Sequence, residues 1–155
     1  MNQIDFYILA DDSTKNIDVV CCQLCEKALK NSMNVIIYTQ SFEQAEKIDS
    51  LLWNFKADSF IPHKNLLNQE DNDNTSSKLL NNIDFDYPVL ITDQINSQQS
   101  NTDLLINLNT SPPPLHQQFK RIAELVDKNP QAKEVARNSY RLYQQKNCKL
   151  NKYDL

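Results

Sequence analysis

Residues 19–40, VVCCQLCEKALKNSMNVIIYTQ, carry two hydrophobic periods side by side. Cys21, Leu24, Cys25 and Ala28 fall at i, i+3, i+4 and i+7, the spacing of one apolar helix face. Asn34-Val35-Ile36-Ile37-Tyr38-Thr39 then runs apolar almost without alternation and is rich in β-branched residues. Such a strand is covered on both faces, as in a parallel sheet. A helix followed by a doubly covered strand predicts an α/β fold.

The same alternation extends outward. Residues 4–10, IDFYILA, predict a first strand closed by Asp11-Asp12-Ser13, and the first helix runs from about 14–18 to 31. Ser41 followed by Gln44 is a capping-box pattern opening a second helix that ends near Phe55. Residues 60–63 form a short extended piece, and residues 88–92 and 104–108 predict two more strands. Residues 64–82, rich in Asn and polar side chains, predict a mobile loop within one domain spanning 1–155. After the rigid Pro112-Pro113-Pro114, helices are expected over 116–127 and about 130–146, the last with Asn129 as cap and Pro130 in first position.

Composition narrows the function. The chain has 155 residues and no glycine. Phosphate-cradling loops and the nucleophile elbow need glycine for tight turns and close backbone approach, so both classes are excluded. No apolar run approaches the roughly 18 residues of a membrane helix, and the start lacks the basic and apolar regions of a secretory signal, so a cytoplasmic protein is expected. Residues 1–115 carry 7 Lys/Arg and 16 Asp/Glu, whereas residues 116–155 carry 9 and 4. This local excess of positive charge suits either an anionic partner or an ordinary solvated helix.

Cys22 and Cys25 are spaced C-x-x-C, which admits a metal or redox reading. A redox pair normally opens a helix, where the dipole lowers thiol pKa, and zinc needs two further ligands. Here the pair lies inside the expected helix, and His63, His116 and Cys148 are not at metal spacing. Core packing is the preferred reading; a metal-dependent or redox α/β enzyme built on Cys22, Cys25 and His63 is the alternative. Asp11-Asp12 ends a strand, where α/β folds place site residues, but turn formation explains it equally well.

Two surfaces stand out by spacing. Trp53 lies off the stripe Ile48, Leu51, Leu52, Phe55, with Ser50, Asp49 and Glu46 as its helical neighbours. A Trp on a polar face suits an interface anchor, with Phe60-Ile61-Pro62 extending the patch; cover by the 64–82 loop or a later helix is the competing explanation. In the last helix the core stripe reads Ala132, Val135, Ala136, Ser139, Leu142, Tyr143. Beside it, Lys133, Arg137 and Arg141 repeat at i, i+4, i+8, with Tyr140 among them. Cations around an aromatic suit an acidic peptide with an apolar or carboxylate end. Single-stranded nucleic acid is the competing ligand, its bases stacking on Tyr140.

The stretches DFYIL near the start, LCEKALKNSMNVIIYTQSFEQAEKIDSLLWNFKADSFIPH over 24–63 and AKEVARNSYRLYQQ over 132–145 resemble the chi subunit of bacterial DNA polymerase III holoenzyme. The resemblance implies a Rossmann-like three-layer α/β sandwich with a mostly parallel central sheet and no nucleotide-binding glycine motif. It implies a non-catalytic accessory subunit without a cofactor, acting in DNA replication in the bacterial cytoplasm at the replisome. Chi proteins join the clamp loader through the psi subunit and bind the acidic C-terminal tail of single-stranded-DNA-binding protein, which ends in Pro-Phe. Contact with single-stranded DNA is then mainly indirect, and no membrane is involved. The resemblance places the psi surface, shared with a repair helicase, at Trp53, Phe60, Ile61, Pro62 and His63. It places the tail site at Lys133, Arg137, Tyr140 and Arg141.

Overall fold

The computed structural model describes residues 2–54, 61–67, 87–99 and 101–155. Strands β1 (Gln3–Ile8), β2 (Val35–Tyr38), β3 (His63–Asn65), β4 (Val89–Thr92), β5 (Leu104–Asn107), β6 (Arg121–Val126) and β7 (Lys149–Asp154) form one sheet in the order β3-β4-β2-β5-β6-β1-β7. Every pairing is parallel. Helices α1 (Ile17–Lys30) and α2 (Phe42–Asn54) cover one face, and α3 (Pro130–Gln145) covers the other. The chain is thus a Rossmann-like α/β sandwich.

The strand expected to be covered on both faces is so. Val35 and Ile37 belong to the core under α1 and α2, while Ile36 and Tyr38 belong to the core under α3. Local chemistry sets the helix starts. Asn16 accepts from the Asp18 amide at 2.8 Å, and Asn129 accepts from the Ala132 amide at 2.7 Å ahead of Pro130. Ser41 Oγ accepts from the Gln44 amide at 3.2 Å, and Gln44 returns a bond to the Gln40 amide at 3.0 Å. These bonds satisfy amides that the first turn leaves without partners. Without glycine, Ser32, Leu115 and Asn147 take the left-handed conformation, with φ of 56°, 56° and 60°.

The cysteines of α1 are core. Cys21, Cys22 and Cys25 are fully buried against both helices and the sheet. Burial first, then the nearby Cys25 and Asp18, pushes the Cys22 thiol up to about 12. A hydrogen bond with Cys25, with burial, raises Cys21 as well. These groups stay thiols, whereas nucleophiles and metal ligands need thiolates.

Two expectations for the C-terminal third are corrected. Residues 116–127 are not a helix: a short 3-10 turn at His116–Gln118 leads into β6, in the middle of the sheet. Ile122 and Val126 point under α3, Ala123 and Leu125 under α1 and α2, a period of two that pairing with β5 and β1 selects over local helix propensity. Residues 149–154, to which no element was assigned, form the edge strand β7. Its polar sequence KLNKYD, with two lysines, suits an edge that resists pairing with other chains. Buried Asp5 of β1 ties this edge together, accepting from Arg121 Nε of β6 and Asn151 Nδ2 of β7, both at 2.8 Å. Burial alone would raise the Asp5 carboxyl, but hydrogen bonds from Asn151, Gln3 and Arg121, with the Arg121 charge, hold it below the usual carboxylate range. Tyr153 stacks on Tyr7 at 5.1 Å between centroids.

Candidate functional site

Helix α3 is fixed to the sheet by one buried polar cluster. Tyr143 is fully buried, and its hydroxyl donates to Glu124 Oε2 at 2.7 Å. Asn107 Nδ2 donates to both Glu124 oxygens at 2.8 and 2.9 Å. Burial raises the Glu124 carboxyl to about 7, with the bonds from Asn107 and Tyr143 opposing that rise. The Tyr143 ring also meets His116 edge-on at 5.3 Å.

This anchoring sets the roll of the helix. Val135 and Leu142, expected in the core stripe, are 36% and 39% exposed. Tyr140 instead turns inward, its ring 5.5 Å from Phe6 of β1. Phe6 makes ring contacts with both Tyr140 and Tyr143, while Val135 and Leu142 are left on the flank.

Between α3 and the β1–β7 edge lies a cavity of about 420 Å³. Phe6, Ile8 and Val126 make an apolar floor; Lys133, Arg137, Tyr140 and Arg141 make the helix wall. All four tail-site residues of the sequence reading therefore line one groove. Among the lining residues not assigned to it are Phe6, placed only in the first strand, and Lys152 of β7, which stands 4.9 Å from the centroid of the Tyr140 ring. Lys133 Nζ is held by Asp11 Oδ1 at 2.5 Å. That hydrogen bond, with the lysine charge, lowers the exposed Asp11 carboxyl. Asp11 thus acts as a groove-side partner rather than only a turn residue.

A second cavity, about 380 Å³, opens at the carboxyl ends of β5 and β6, the crevice where open α/β sheets hold ligands. Among the described residues its charged lining is Glu124 and Asp127, with no Lys or Arg. It offers a phosphate neither glycine amides nor a cation. Among the described residues, no group of three His, Cys, Asp or Glu side chains is placed to hold a metal ion.

The other surface lies at the opposite edge of the sheet. Trp53, at the end of α2, is 55% exposed. Phe60 lies outside the described residues. Ile61 and His63 are buried, and Pro62 is half-buried. The His63 ring bridges the Ile61 carbonyl and Asp49 Oδ1, both at 2.7 Å, and sits 4.9 Å from the Trp53 ring. Ile61 and His63 therefore support the patch from beneath, while Trp53 presents it. β3 and β7 are the two edges of the sheet, roughly 29 Å apart at ~4.8 Å per strand, so the two surfaces lie toward opposite edges.

Comparison with known proteins agrees with this architecture. The family model described as DNA polymerase III chi subunit, HolC, matches residues 1–151. The DNA polymerase III subunit chi of Pseudomonas aeruginosa is 30% identical over 156 residues, covering 100% of this chain and 98% of that protein. The Haemophilus influenzae subunit chi is 29% identical over 88% of this chain and 85% of its own length. That of Escherichia coli K12 is 26% identical over 97% of both. Among solved structures, the C-terminal domain of Saccharomyces cerevisiae Dbp5 bound to Gle1 and IP6 superposes with a TM-score of 0.60 over 99% of this chain and 90% of that one. At 11% identity this likeness shows the fold alone. The shared family is that of an accessory, non-catalytic subunit of a replicative polymerase. This chain belongs to the DNA polymerase III chi subunit family.

Proposed function

We propose that this chi chain is an adaptor. It docks the acidic C-terminal tail of single-stranded-DNA-binding protein in the α3 groove and joins the clamp loader by binding psi at the Trp53 surface. One observation carries the tail site: Lys133, Arg137 and Arg141 rim a cavity floored by Phe6 and Ile8. A cationic rim over an apolar floor matches an acidic peptide whose last residue is an aromatic with a free carboxylate. Direct single-stranded nucleic-acid binding fits less well. Tyr140 already packs on Phe6 and carries Lys152 over its ring, so a base would have to displace the lysine to stack.

Titration calorimetry of the whole chain with an acidic peptide ending in Pro-Phe tests the tail site. Binding is expected, weakening as salt rises because rim charges are screened. A control peptide lacking the final Phe is expected to lose most of the affinity. Equal binding of both peptides, or preference for an oligonucleotide, would refute the tail reading.

For the second surface, Trp53→Ala is expected to leave the fold intact, since over half of Trp53 is exposed. Psi binding should weaken by about 2 kcal/mol, the scale of a hot-spot truncation. A repair helicase using the same surface would lose affinity in parallel. Circular dichroism and titration of the variant check this; normal psi affinity would move the interface away from α2.

A further inference from the structure

Lys133 and Lys152 contribute differently to the groove. Lys133 is already engaged by the Asp11 carboxylate. Lys152 makes no ion pair among the described residues, and its ammonium stands over the Tyr140 ring. The register of the sheet puts it there: Lys152 pairs with Phe6, so both side chains leave on the α3 face. Tyr140 thus has the floor aromatic against it and a cation beside it, at the sheet-edge end of the cavity.

We propose that Lys152 is the specificity residue that receives the terminal α-carboxylate of a peptide seated in this groove. The inference rests on the tail reading above. With its last side chain on Phe6 and Ile8, the carboxylate of an acidic peptide reaches the only lining cation contributed by the sheet rather than by α3, among the described residues. Arg137 and Arg141 then serve the acidic residues upstream. Lys152 is exposed, and its contact with the Tyr140 ring holds the ammonium at the cavity wall, which pre-positions it as an anion receptor relative to a freely rotating surface lysine.

The test crosses one variant with two peptides on the full chain. Lys152→Met keeps an unbranched stem over Tyr140 and removes the charge. The peptides are the acidic Pro-Phe peptide as free acid and as C-terminal amide, measured by titration calorimetry. The unmodified chain is expected to prefer the acid about tenfold, the scale of one charge-assisted hydrogen bond. Lys152→Met should bind the amide as the unmodified chain does and lose most of its preference for the acid. Equal loss toward both peptides, or an unchanged acid-to-amide ratio, would overturn the assignment. Arg137→Ala separates the two levels of inference. If Arg137→Ala weakens both peptides while Lys152→Met leaves the ratio unchanged, only the Lys152 assignment falls. If Arg137→Ala binds both normally, the groove reading falls and takes this inference with it.

Discussion

Arg137→Ala should lower affinity for the acidic tail peptide by tenfold or more. Arg137 is exposed on α3, lines the groove and makes no ion pair among the described residues. Its guanidinium is therefore available for a two-pronged bond to a carboxylate. Each charge-assisted bond contributes roughly 1.5–3 kcal/mol. A fully solvated ion pair would contribute only about 0–1 kcal/mol. The larger figure applies because Phe6, Ile8 and Tyr140 form an apolar wall that a seated peptide seals from water. Arg137→Lys keeps the charge and loses the planar fork, so it should restore affinity only in part. Psi affinity should not change, because the Trp53 patch lies at the other edge of the sheet. A tail affinity of Arg137→Ala equal to that of the unmodified chain would leave the basic helix as a solvated face.

The second large effect is on stability. Glu124, buried between Asn107 and Tyr143, has a folded-state pKa near 7 against an ordinary 4.5. The folded chain holds this proton more tightly than the unfolded chain. Its contribution is therefore complete below about pH 4.5, declines as pH rises through 7, and is then constant. At ~1.4 kcal/mol per pKa unit, the loss across that window is about 3 kcal/mol. Glu124→Gln offers one carbonyl to both donors and does not titrate. Its denaturation midpoints at pH 5 and pH 7.5 should differ by correspondingly less. His116 acts in the opposite sense: burial, then Lys146, lowers its pKa, so it favours folding as pH rises through its ordinary range. The difference between the two curves isolates Glu124 because His116 is present in both. Parallel curves would show that Glu124 is ionised in the fold at no cost.

Local sequence by itself determined much of this protein. The uninterrupted run Val35–Tyr38 needs cover on both faces, so a parallel sheet between helix layers follows from four residues. Asn16, Ser41 and Asn129 mark their helix starts because capping is a bond to an amide two or three residues away. The absence of glycine excludes phosphate loops whatever the fold. The row Lys133, Arg137, Arg141 is legible because one helix places residues four apart on one side. Tertiary structure decided what depends on distant partners. Residues 121–126 carry helix-forming Ala, Glu and Leu and become a central strand only because β5 and β1 flank them. Residues 149–154 are too polar to signal a strand, and Asp5, nearly 150 positions earlier in the chain, recruits them through Asn151. Phe6 and Lys152 enter the groove by that same long-range register. The roll that exposes Val135 and buries Tyr143 was set by Glu124 and Asn107, buried hydrogen-bonding groups that can be satisfied only where the helix meets the sheet.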